Sequence, residues 1–239
     1  MAPVHDQPLG SIVGNAPALR PSPETKLSGQ YATVVGMSTE HIATLYPHIS
    51  GDENAYLWDY MLSGPFNELA QYRAATEAKI KSPDMVLYAI IPTSEPQTLS
   101  GADNVVGYAG YLNINANSRS VEVGSVMFSP TLQRTPAATE AMYLLAKHAF
   151  EDLGYRRYEW KCNTLNASSQ RAALRLGFTF EGVFRQHIVV KGRNRDTAWF
   201  AIVDGDWPRI RDAFGAWLDS SNFDRDGLQQ RKLEEFWRK

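Results

Sequence analysis

The chain has 239 residues, of which 44% are hydrophobic, so it can form one large domain or two small ones around a sizeable core. The formal net charge is −2 at pH 7 and the basic residues are scattered, which argues against nucleic-acid binding. The single cysteine, Cys162, excludes an internal disulfide framework and a cysteine-rich metal site. Because the sequence has neither a long apolar run nor a signal-peptide core, we expect a cytoplasmic protein without membrane contact or metal.

The N-terminal part of the chain changes character after about residue 29. The first 29 residues contain five prolines, and we interpret them as an arm that either lies on the domain surface or is disordered. Hydrophobic periodicity then predicts one strand and three helices. The strand spans residues 31–37, and the first helix spans 39–48. The second helix follows a capping-box pattern formed by Ser50 and Glu53. The third helix spans 66–80, after a break at Gly64-Pro65.

The remainder of the chain alternates between strands and helices. Strands are predicted at 86–91, 105–114, 121–128 and 158–162, helices at 136–153 and 167–176, and a long hairpin at 178–190 with 197–203. This order indicates an α/β fold with one mixed sheet and helices on both faces. Residues 205–239 are predicted to form an amphipathic helical tail, whose large apolar side chains must pack on the domain or across a homodimer.

The most informative segment runs from Val126 to Ala141, where a strand passes through a tight turn into a helix. The first amides of a helix lack intrahelical partners, and the helix dipole makes that end positive. Such an end can hold a phosphate or a pyrophosphate, and small residues such as Ala137 and Ala138 leave room for it. Taken alone, the segment fits an ordinary strand–turn–helix connection equally well.

This segment resembles motif A of the GNAT acetyltransferase superfamily, in which a strand ends in hydrophobic-x-Pro before Gln/Arg-x-x-Gly-x-Gly/Ala. Here the motif reads Phe128-Ser-Pro130 and then Gln133-Arg-Thr-Pro136-Ala-Ala138, with Pro136 at the position of the central glycine. The next residues, Thr139-Glu140-Ala141, resemble the RimJ/RimL-like branch, which acetylates protein N-termini and small amines. Further matches to that branch are Asn166-Ala-Ser-Ser169, Leu176-Gly-Phe178, Glu181-Gly182, Arg185, Gly192 and Asp196.

The resemblance covers roughly residues 30–204 and implies a GNAT domain with a mostly antiparallel sheet. The strand before motif A and the strand after it splay apart in this family, and the pantetheine arm of acetyl-coenzyme A (acetyl-CoA) lies between them. The implied cofactor-binding residues are Met127, Phe128, Gln133, Arg134, Thr135, Ala137, Ala138, Thr139 and Asn166. Because proline has no N–H group, Pro136 removes one pyrophosphate donor, so the backbone amides of its neighbours must suffice.

The resemblance also assigns catalytic roles. Ser169 aligns with the serine that protonates the departing thiolate, and its neighbour Ser168 is the alternative. Glu122 is the leading candidate for the base, because it points away from the flanking Val121 and Val123, and His187 is the other titratable candidate. A solvated glutamate or a buried ion pair is the structural alternative for Glu122.

The predicted acceptor site consists of aromatic and titratable residues outside motif A. Trp58, Tyr60 and Phe66 lie where the family builds its acceptor lid, and they either close over an amine or pack in the core. His187 and Asp196 complete the predicted substrate-binding set. A structural histidine and a hairpin salt bridge of Asp196 with Arg185 or Arg195 are the alternatives.

Together these residues predict an N-acetyltransferase that moves an acetyl group from acetyl-CoA to a primary amine of a peptide N-terminus or a small molecule. A protein of the same fold that binds coenzyme A without catalysis, as a sensor or interaction module, is the alternative. An enzyme with a longer acyl donor is a third interpretation.

Overall fold

The computed structural model describes residues 8–93, 104–225 and 227–237. Eight strands lie in this part of the chain: β1 (Lys26–Ser28), β2 (Ala32–Gly36), β3 (Met85–Pro92), β4 (Gly107–Asn115), β5 (Ser120–Phe128), β6 (Arg157–Asn163), β7 (Thr179–Val190) and β8 (Arg193–Val203). They form one sheet in the order β1-β2-β3-β4-β5-β6-β8-β7. Within that sheet β5 and β6 are parallel, whereas the other neighbouring pairs are antiparallel.

Helices cover both faces of this sheet. They are α1 (Thr39–Ile49), α2 (Leu69–Ile80), α3 (Pro136–Lys147), α4 (Ala167–Arg175), α5 (Trp207–Leu218) and α6 (Glu234–Trp237). Side chains alternate along each strand, so Leu87 packs in the core under α1 and α2, while its neighbour Tyr88 packs in the larger core under α3. The predicted mixed α/β sheet with helices on both faces is therefore confirmed.

The middle of the sheet opens where β5 and β6 part. These two strands are paired at Ser120, Val121 and Glu122 only, and the last pair is Glu122 with Glu159. Beyond that pair β5 stays bonded to β4 as far as Phe128, and β6 stays bonded to β8. Residues 124–126 are partly exposed although β5 is a central strand. The predicted splay is thus present, and it leaves one edge of β5 without a neighbour.

A β-bulge lies in the stretch where β5 leaves β6. Tyr108 pairs with Met127 and Gly110 pairs with Gly124, so β5 has one residue more than β4 over this interval. Ser125 has a left-handed φ of 49° there. A bulge bends its strand and re-aims the side chains next to it. The bulge therefore shapes the free edge of β5.

The predicted capping box at Ser50 is wrong. Ser50 ends α1, and residues Asp52–Trp58 form a 3-10 helix that follows Gly51. Two side chains from this tight turn bond the end of α1, since Asn54 donates to the Ser50 carbonyl at 2.8 Å and the Trp58 indole donates to the Ile49 carbonyl at 2.9 Å. These bonds satisfy carbonyls that a helix end leaves unpaired, so the chain turns back here.

Other boundaries differ from the prediction by a few residues. The third helix begins at Leu69 rather than residue 66, and α3 gives way to a π-helical turn, His148–Asp152. The last hairpin closes over Lys191 and Gly192 alone, both with positive φ, as two-residue hairpin turns require. Strand β1 lies inside the segment interpreted as the arm.

The C-terminal segment packs against α3 and its core. Trp217 and Phe214 of α5 are 3% and 2% exposed, and Leu233 is fully buried. Phe214 stacks on Tyr143 of α3 with ring centroids 5.2 Å apart. These aromatic contacts attach residues after Val203 to the face of the sheet that α3 covers.

Glu140 ties α3 to the start of the sheet. Its carboxylate is 5% exposed and accepts the backbone N–H groups of Gln30, Tyr31 and Ala32 at 2.8, 2.5 and 2.7 Å. A Cβ atom on Gly29 would lie 2.3 Å from this carboxylate, so only glycine fits there. From the sequence, Glu140 was identified only as part of a motif, and its structural role was not predicted.

Replacing Glu140 with glutamine keeps the side-chain shape but turns an NH₂ group toward backbone donors. We expect Glu140→Gln to lower the free energy of unfolding by about 2–3 kcal/mol, because a charge-assisted bond is lost and a buried donor is left unpaired. Urea unfolding followed by tryptophan fluorescence measures this change. Glu24→Gln, at an exposed glutamate, is the control and should shift stability by less than about 0.5 kcal/mol. Equal stability of the two variants would contradict the role of Glu140.

Candidate active site

The turn between β5 and α3 is fixed by its own side chains. The Gln133 side chain donates to the Phe128 carbonyl at 3.0 Å and so braces the end of β5. Thr135 caps α3, because its hydroxyl oxygen accepts the Ala138 amide at 3.1 Å while its hydroxyl proton goes to the Leu132 carbonyl at 2.7 Å. The turn is thus held in one shape without help from a ligand.

Four backbone amides beside Pro136 are expected to bind a pyrophosphate, namely those of Arg134, Thr135, Ala137 and Ala138. Two of the four already have hydrogen-bond partners. The amide of Thr135 donates to the Leu132 carbonyl at 3.3 Å, and that of Ala138 donates to Thr135. The amides of Arg134 and Ala137 have no acceptor among the described residues. Arg134 also has a left-handed φ of 62°, a sparsely populated conformation that clusters at functional sites. The free donors at the positive end of α3 are therefore those of Arg134 and Ala137.

Pro136 occupies the first position of α3. The N–H group of that position would have no intrahelical partner, and the fixed φ of proline suits it. Replacing the motif glycine therefore removes one ligand donor but leaves the helix start intact. The adjacent Thr139 hydroxyl accepts the Arg175 guanidinium of α4 at 3.1 Å, which joins two helices beside the turn.

Asn166 caps α4 and keeps a free donor. Its carbonyl oxygen accepts the Ser169 amide at 3.0 Å and the Ser168 hydroxyl at 2.9 Å. The side-chain NH₂ group of Asn166 has no partner among the residues that the structure describes. Helix capping and a hydrogen bond to a ligand are therefore compatible at this residue.

Ser169 lies against β6. Its hydroxyl oxygen accepts the Trp160 indole N–H at 3.0 Å, so its own proton can be donated elsewhere. Burial raises the pKa of the neighbouring Cys162 thiol, and hydrogen bonding by Ser169 and the charge of Arg195 oppose that rise. Ser168, by contrast, is exposed and bonds only to the cap. Of the two serines, Ser169 is the one placed at the β6 side of the gap.

Glu122 forms a buried ion pair at the point where β5 and β6 part. It is 8% exposed, and its Oε2 accepts Lys161 Nζ at 2.8 Å and the Asn113 amide at 2.6 Å. Its Oε1 has no hydrogen bond within the described parts of the chain. The ion-paired alternative for Glu122 is the one that the structure contains, and one carboxylate oxygen remains free.

Lys161 links Glu122 to a row of ion-paired side chains across the sheet, which consists of Lys161, Glu159, Arg157 and Glu181 and is called the ladder below. It also bonds Glu159 at 2.8 Å and lies 4.0 Å above the Trp199 ring. Arg157 joins Glu159 to Glu181 in turn. Burial raises the pKa of Glu159, but the hydrogen bonds from Lys161 and Arg157 outweigh it, so the net pKa is lowered.

This ladder was not predicted from the sequence. Arg157, Glu159 and Lys161 alternate along β6, so a predicted strand already places all three on one face. What the sequence did not supply was the register that sets Glu159 beside Glu122.

Glu122 and Ser169 approach the gap from opposite faces. Val121 and Val123 pack in the α3 core, so Glu122 projects to the other face. Ser169 contacts Trp160, which belongs to the α3 core. A ligand that passes between β5 and β6 can therefore meet one residue on each side.

The predicted lid aromatics separate into core and surface residues. Trp58 is 2% exposed and packs edge-on against Phe66, so these two rings form part of the core. Tyr60 is partly exposed and its hydroxyl donates to the Leu165 carbonyl at 3.1 Å. Lys191 at the hairpin turn donates to the Trp58 carbonyl at 2.7 Å. The end of the 3-10 helix thus contacts the tip of the β7–β8 hairpin, and Tyr60 just after it contacts the loop before α4.

His187 and Asp196 stabilise that hairpin. His187 shares a hydrogen bond with the Thr197 hydroxyl at 3.0 Å. The Asp196 carboxylate accepts the Asn194 amide at 2.9 Å and the Gln186 backbone N–H at 2.7 Å, and these bonds lower its pKa. In the described residues Asp196 forms no ion pair with an arginine, so the alternative of a salt bridge with Arg185 or Arg195 is not present there, although the charge of Arg185 also lowers the pKa of Asp196. The carboxylate instead secures a β7 bulge, where Gln186 has a φ of 49°.

The described residues contain no group of three metal-ligating side chains that could hold a metal ion. Within the same ranges, no helix is long and apolar enough to cross a membrane.

The splayed strands and the turn that follows them match a known family. The family described as acetyltransferase (GNAT) domain matches residues 33–179, which is more than half of the chain. The chain therefore belongs to the GNAT acetyltransferases. The predicted GNAT fold is confirmed, and the family supports an acyltransferase that uses acetyl-CoA.

Solved structures extend this likeness over most of the chain. A GCN5-related N-acetyltransferase from Brucella melitensis is 36% identical with a TM-score of 0.86, covering 92% of this chain and 97% of that one. A probable GNAT acetyltransferase from Chromobacterium violaceum is 34% identical with a TM-score of 0.76, covering 87% and 100%.

A curated relative matches a shorter stretch. YoaA, an uncharacterized N-acetyltransferase of Bacillus subtilis, is 30% identical over 99 residues, which are 41% of this chain and 55% of YoaA. The chain thus matches about half of that relative's length.

A site at the start of α3 predicts how coenzyme A stabilises the protein. Coenzyme A should raise the melting temperature, because a ligand that binds only the native state stabilises it. Pantetheine lacks the phosphates that the Arg134 and Ala137 amides would bind, so it should raise the melting temperature much less. Differential scanning fluorimetry with both compounds measures this. Equal shifts would contradict a phosphate site at this helix end.

Removing the Ser169 hydroxyl tests its assigned role. Ser169→Ala should lower turnover by about 10–10³-fold, the low side of general-acid effects, because a thiolate leaves tolerably without a proton. Affinity for acetyl-CoA should stay unchanged, since Asn166 and the turn amides remain. Ser168→Ala is the control, because it alters the same cap but not the contact with Trp160. Weakened coenzyme A binding with intact turnover would make Ser169 a cofactor-binding or capping residue instead.

Proposed function

We propose that this GNAT protein transfers an acetyl group from acetyl-CoA to a primary amine by direct attack. One observation carries the proposal, namely the partly exposed edge of central strand β5 beyond Glu122. An unpaired strand edge can bond an extended ligand as an additional strand would. This edge of β5 continues into the turn before α3, where the amides of Arg134 and Ala137 have no hydrogen-bond partner among the described residues.

The reaction requires one proton to move as two bonds change. A C–N bond forms to the amine, the thioester C–S bond breaks, and the proton lost by nitrogen is gained by sulfur. An α-amino group has a pKa near 8 and a lysine near 10.4, so an acceptor that arrives as an ammonium ion must first lose a further proton to water before it attacks. A base on one side of the gap and an acid on the other meet both requirements.

Glu122 and Ser169 supply these two groups in our proposal. The free Oε1 of Glu122 accepts the amine proton, directly or through a water molecule, while Lys161 and Asn113 orient the carboxylate through Oε2. Ser169 donates its hydroxyl proton toward the leaving sulfur, and Trp160 fixes its orientation. Unpaired N–H groups along β5 stabilise negative charge on the carbonyl oxygen.

The finer assignment to the RimJ/RimL-like branch rests on the motifs from Thr139 to Asp196. A Salmonella typhimurium acetyltransferase that modifies the N-terminal serine of a 50S ribosomal subunit protein has a TM-score of 0.60 at 16% identity. At that identity the likeness concerns the fold. We therefore propose peptide N-termini and small amines together as the acceptor class.

The competing function is a sensor that binds coenzyme A without turnover. Pro136 favours it, because one pyrophosphate donor is absent. Incubating the protein and acetyl-CoA with pooled amines, followed by mass spectrometry, separates the two functions. An acetylated amine together with free coenzyme A supports the enzyme, whereas intact acetyl-CoA with every amine supports the sensor.

Glu122→Gln tests the base. The substitution keeps the shape but removes proton acceptance, so kcat/KM for the amine should fall by about 10²–10⁴-fold. The deficit should shrink at high pH, where more of the amine is already neutral. Initial rates between neutral and alkaline pH provide the profile.

The matched control is Glu159→Gln, which removes the other carboxylate from Lys161. If Glu122 acts as a base, the Glu159 variant should lose much less activity. Equal losses in the two variants, with flat pH profiles, would assign both carboxylates to the structure of the ladder.

A further inference from the structure

Lys79 of α2 is a partly buried cation on the face of the sheet that carries Glu122. Its Nζ lies 3.4 Å from the Ser125 hydroxyl and 5.5 Å from the centroid of the Tyr108 ring. Burial lowers the pKa of this ammonium group. No carboxylate lies within ion-pair distance of Lys79 in the described residues, although its helix neighbours Arg73 and Lys81 both pair with Glu77.

The position of Lys79 connects it to the gap. Tyr108, Leu112 and Glu122 share one face of the sheet, because Leu112 pairs with Glu122 and side chains alternate along β4. Gly124 lies on the same face, between Glu122 and the bulge residue Ser125 that Lys79 contacts. A Cβ atom on Gly124 would lie 3.1 Å from the free Oε1 of Glu122, so the strand has no side chain between these two groups.

Two cations on this face, Lys161 and Arg157, have carboxylate partners, whereas Lys79 and Arg195 have none in the described residues. Lys161 is bonded to two carboxylates, and Arg157 is bonded to two others of the same ladder. Arg195 has no ion-pair partner within the described ranges, yet the charge of Glu122 acts on it. Desolvation of a partly buried ammonium group is costly without a carboxylate, whereas an anion that binds there offsets the cost.

We propose that Lys79 binds an anionic group of the acceptor, specifically a carboxylate carried by the same molecule as the reacting amine. This inference rests on the proposed acetyl transfer. It narrows the acceptor class to α-amino acids, short peptides, and amino acids in which a spacer separates the amine from the carboxylate. Glu122 takes the proton of the amine on one side of Gly124, and Lys79 binds the carboxylate on the other side. Lys79 acts as a specificity-determining residue and does not take part in the bond changes.

The test compares amines with and without the carboxylate. The probes are glycine, β-alanine, 4-aminobutanoate and glycylglycine, each beside its carboxamide, with rates expressed per concentration of free amine. For at least one spacer length the wild-type protein should prefer the acid in kcat/KM by about 10- to 100-fold, the scale of a charged hydrogen bond. Lys79→Met should remove this preference by raising KM for the acid, and Lys79→Arg should retain part of it.

Lys81→Met is the matched control, because Lys81 is an exposed lysine two residues along the same helix. It should leave the acid preference unchanged. Three results would overturn the proposal: equal use of every acid and its amide by the wild-type protein, an equal loss for acids and amides in Lys79→Met, or weaker acetyl-CoA binding in that variant.

A binding measurement keeps this inference separate from the proposed function. Calorimetry of the same acids and amides on protein saturated with coenzyme A requires no turnover. Tighter binding of an acid that Lys79→Met abolishes supports the carboxylate site even if acetyl-CoA is never consumed, and in that case only the proposed catalysis fails. Binding without any acid preference overturns the Lys79 assignment, whatever the rates are.

Discussion

The separation of β5 from β6 is the constraint on which the site depends. Two parallel strands that stay paired would bury both edges, but here pairing stops at Glu122 and Glu159. Lys161 bonds both carboxylates at this last pair, so an ammonium group joins the strands where they part. Beyond it each strand keeps its outer neighbour, and the opening therefore exposes backbone without dissolving the sheet.

The rest of the molecule holds this opening in place from both faces. On one face α3 starts at the end of β5 and is tied by Glu140 to the first strands of the sheet. On the other face Tyr60, just after the 3-10 helix, bonds the loop before α4, and Lys191 of the hairpin tip bonds the last residue of that helix. Interactions far from the gap therefore fix the strands that line it, and substitutions there should act through stability rather than chemistry.

Periodicity and turn residues predicted most of the fold, because most of the helices and strands bury one regular face. Prediction failed where side chains bond the backbone locally. Asn54 and Trp58 reach back to the end of α1, which turns a capping-box pattern into a helix stop. The residues around motif A could be named from their order alone. The ladder through Lys161 and the unpaired Lys79 could not, since both depend on the pairing of strands distant in sequence.

The central claim is that the free edge of β5 holds acetyl-CoA. Hydrogen–deuterium exchange of residues 123–128 tests it most directly, with and without acetyl-CoA. Amides of β5 that face the gap should exchange rapidly in the free protein and slowly in the complex, whereas those bonded to β4 should be protected in both. Gap-facing amides that are already protected in the free protein, or that gain no protection from acetyl-CoA, would contradict the account.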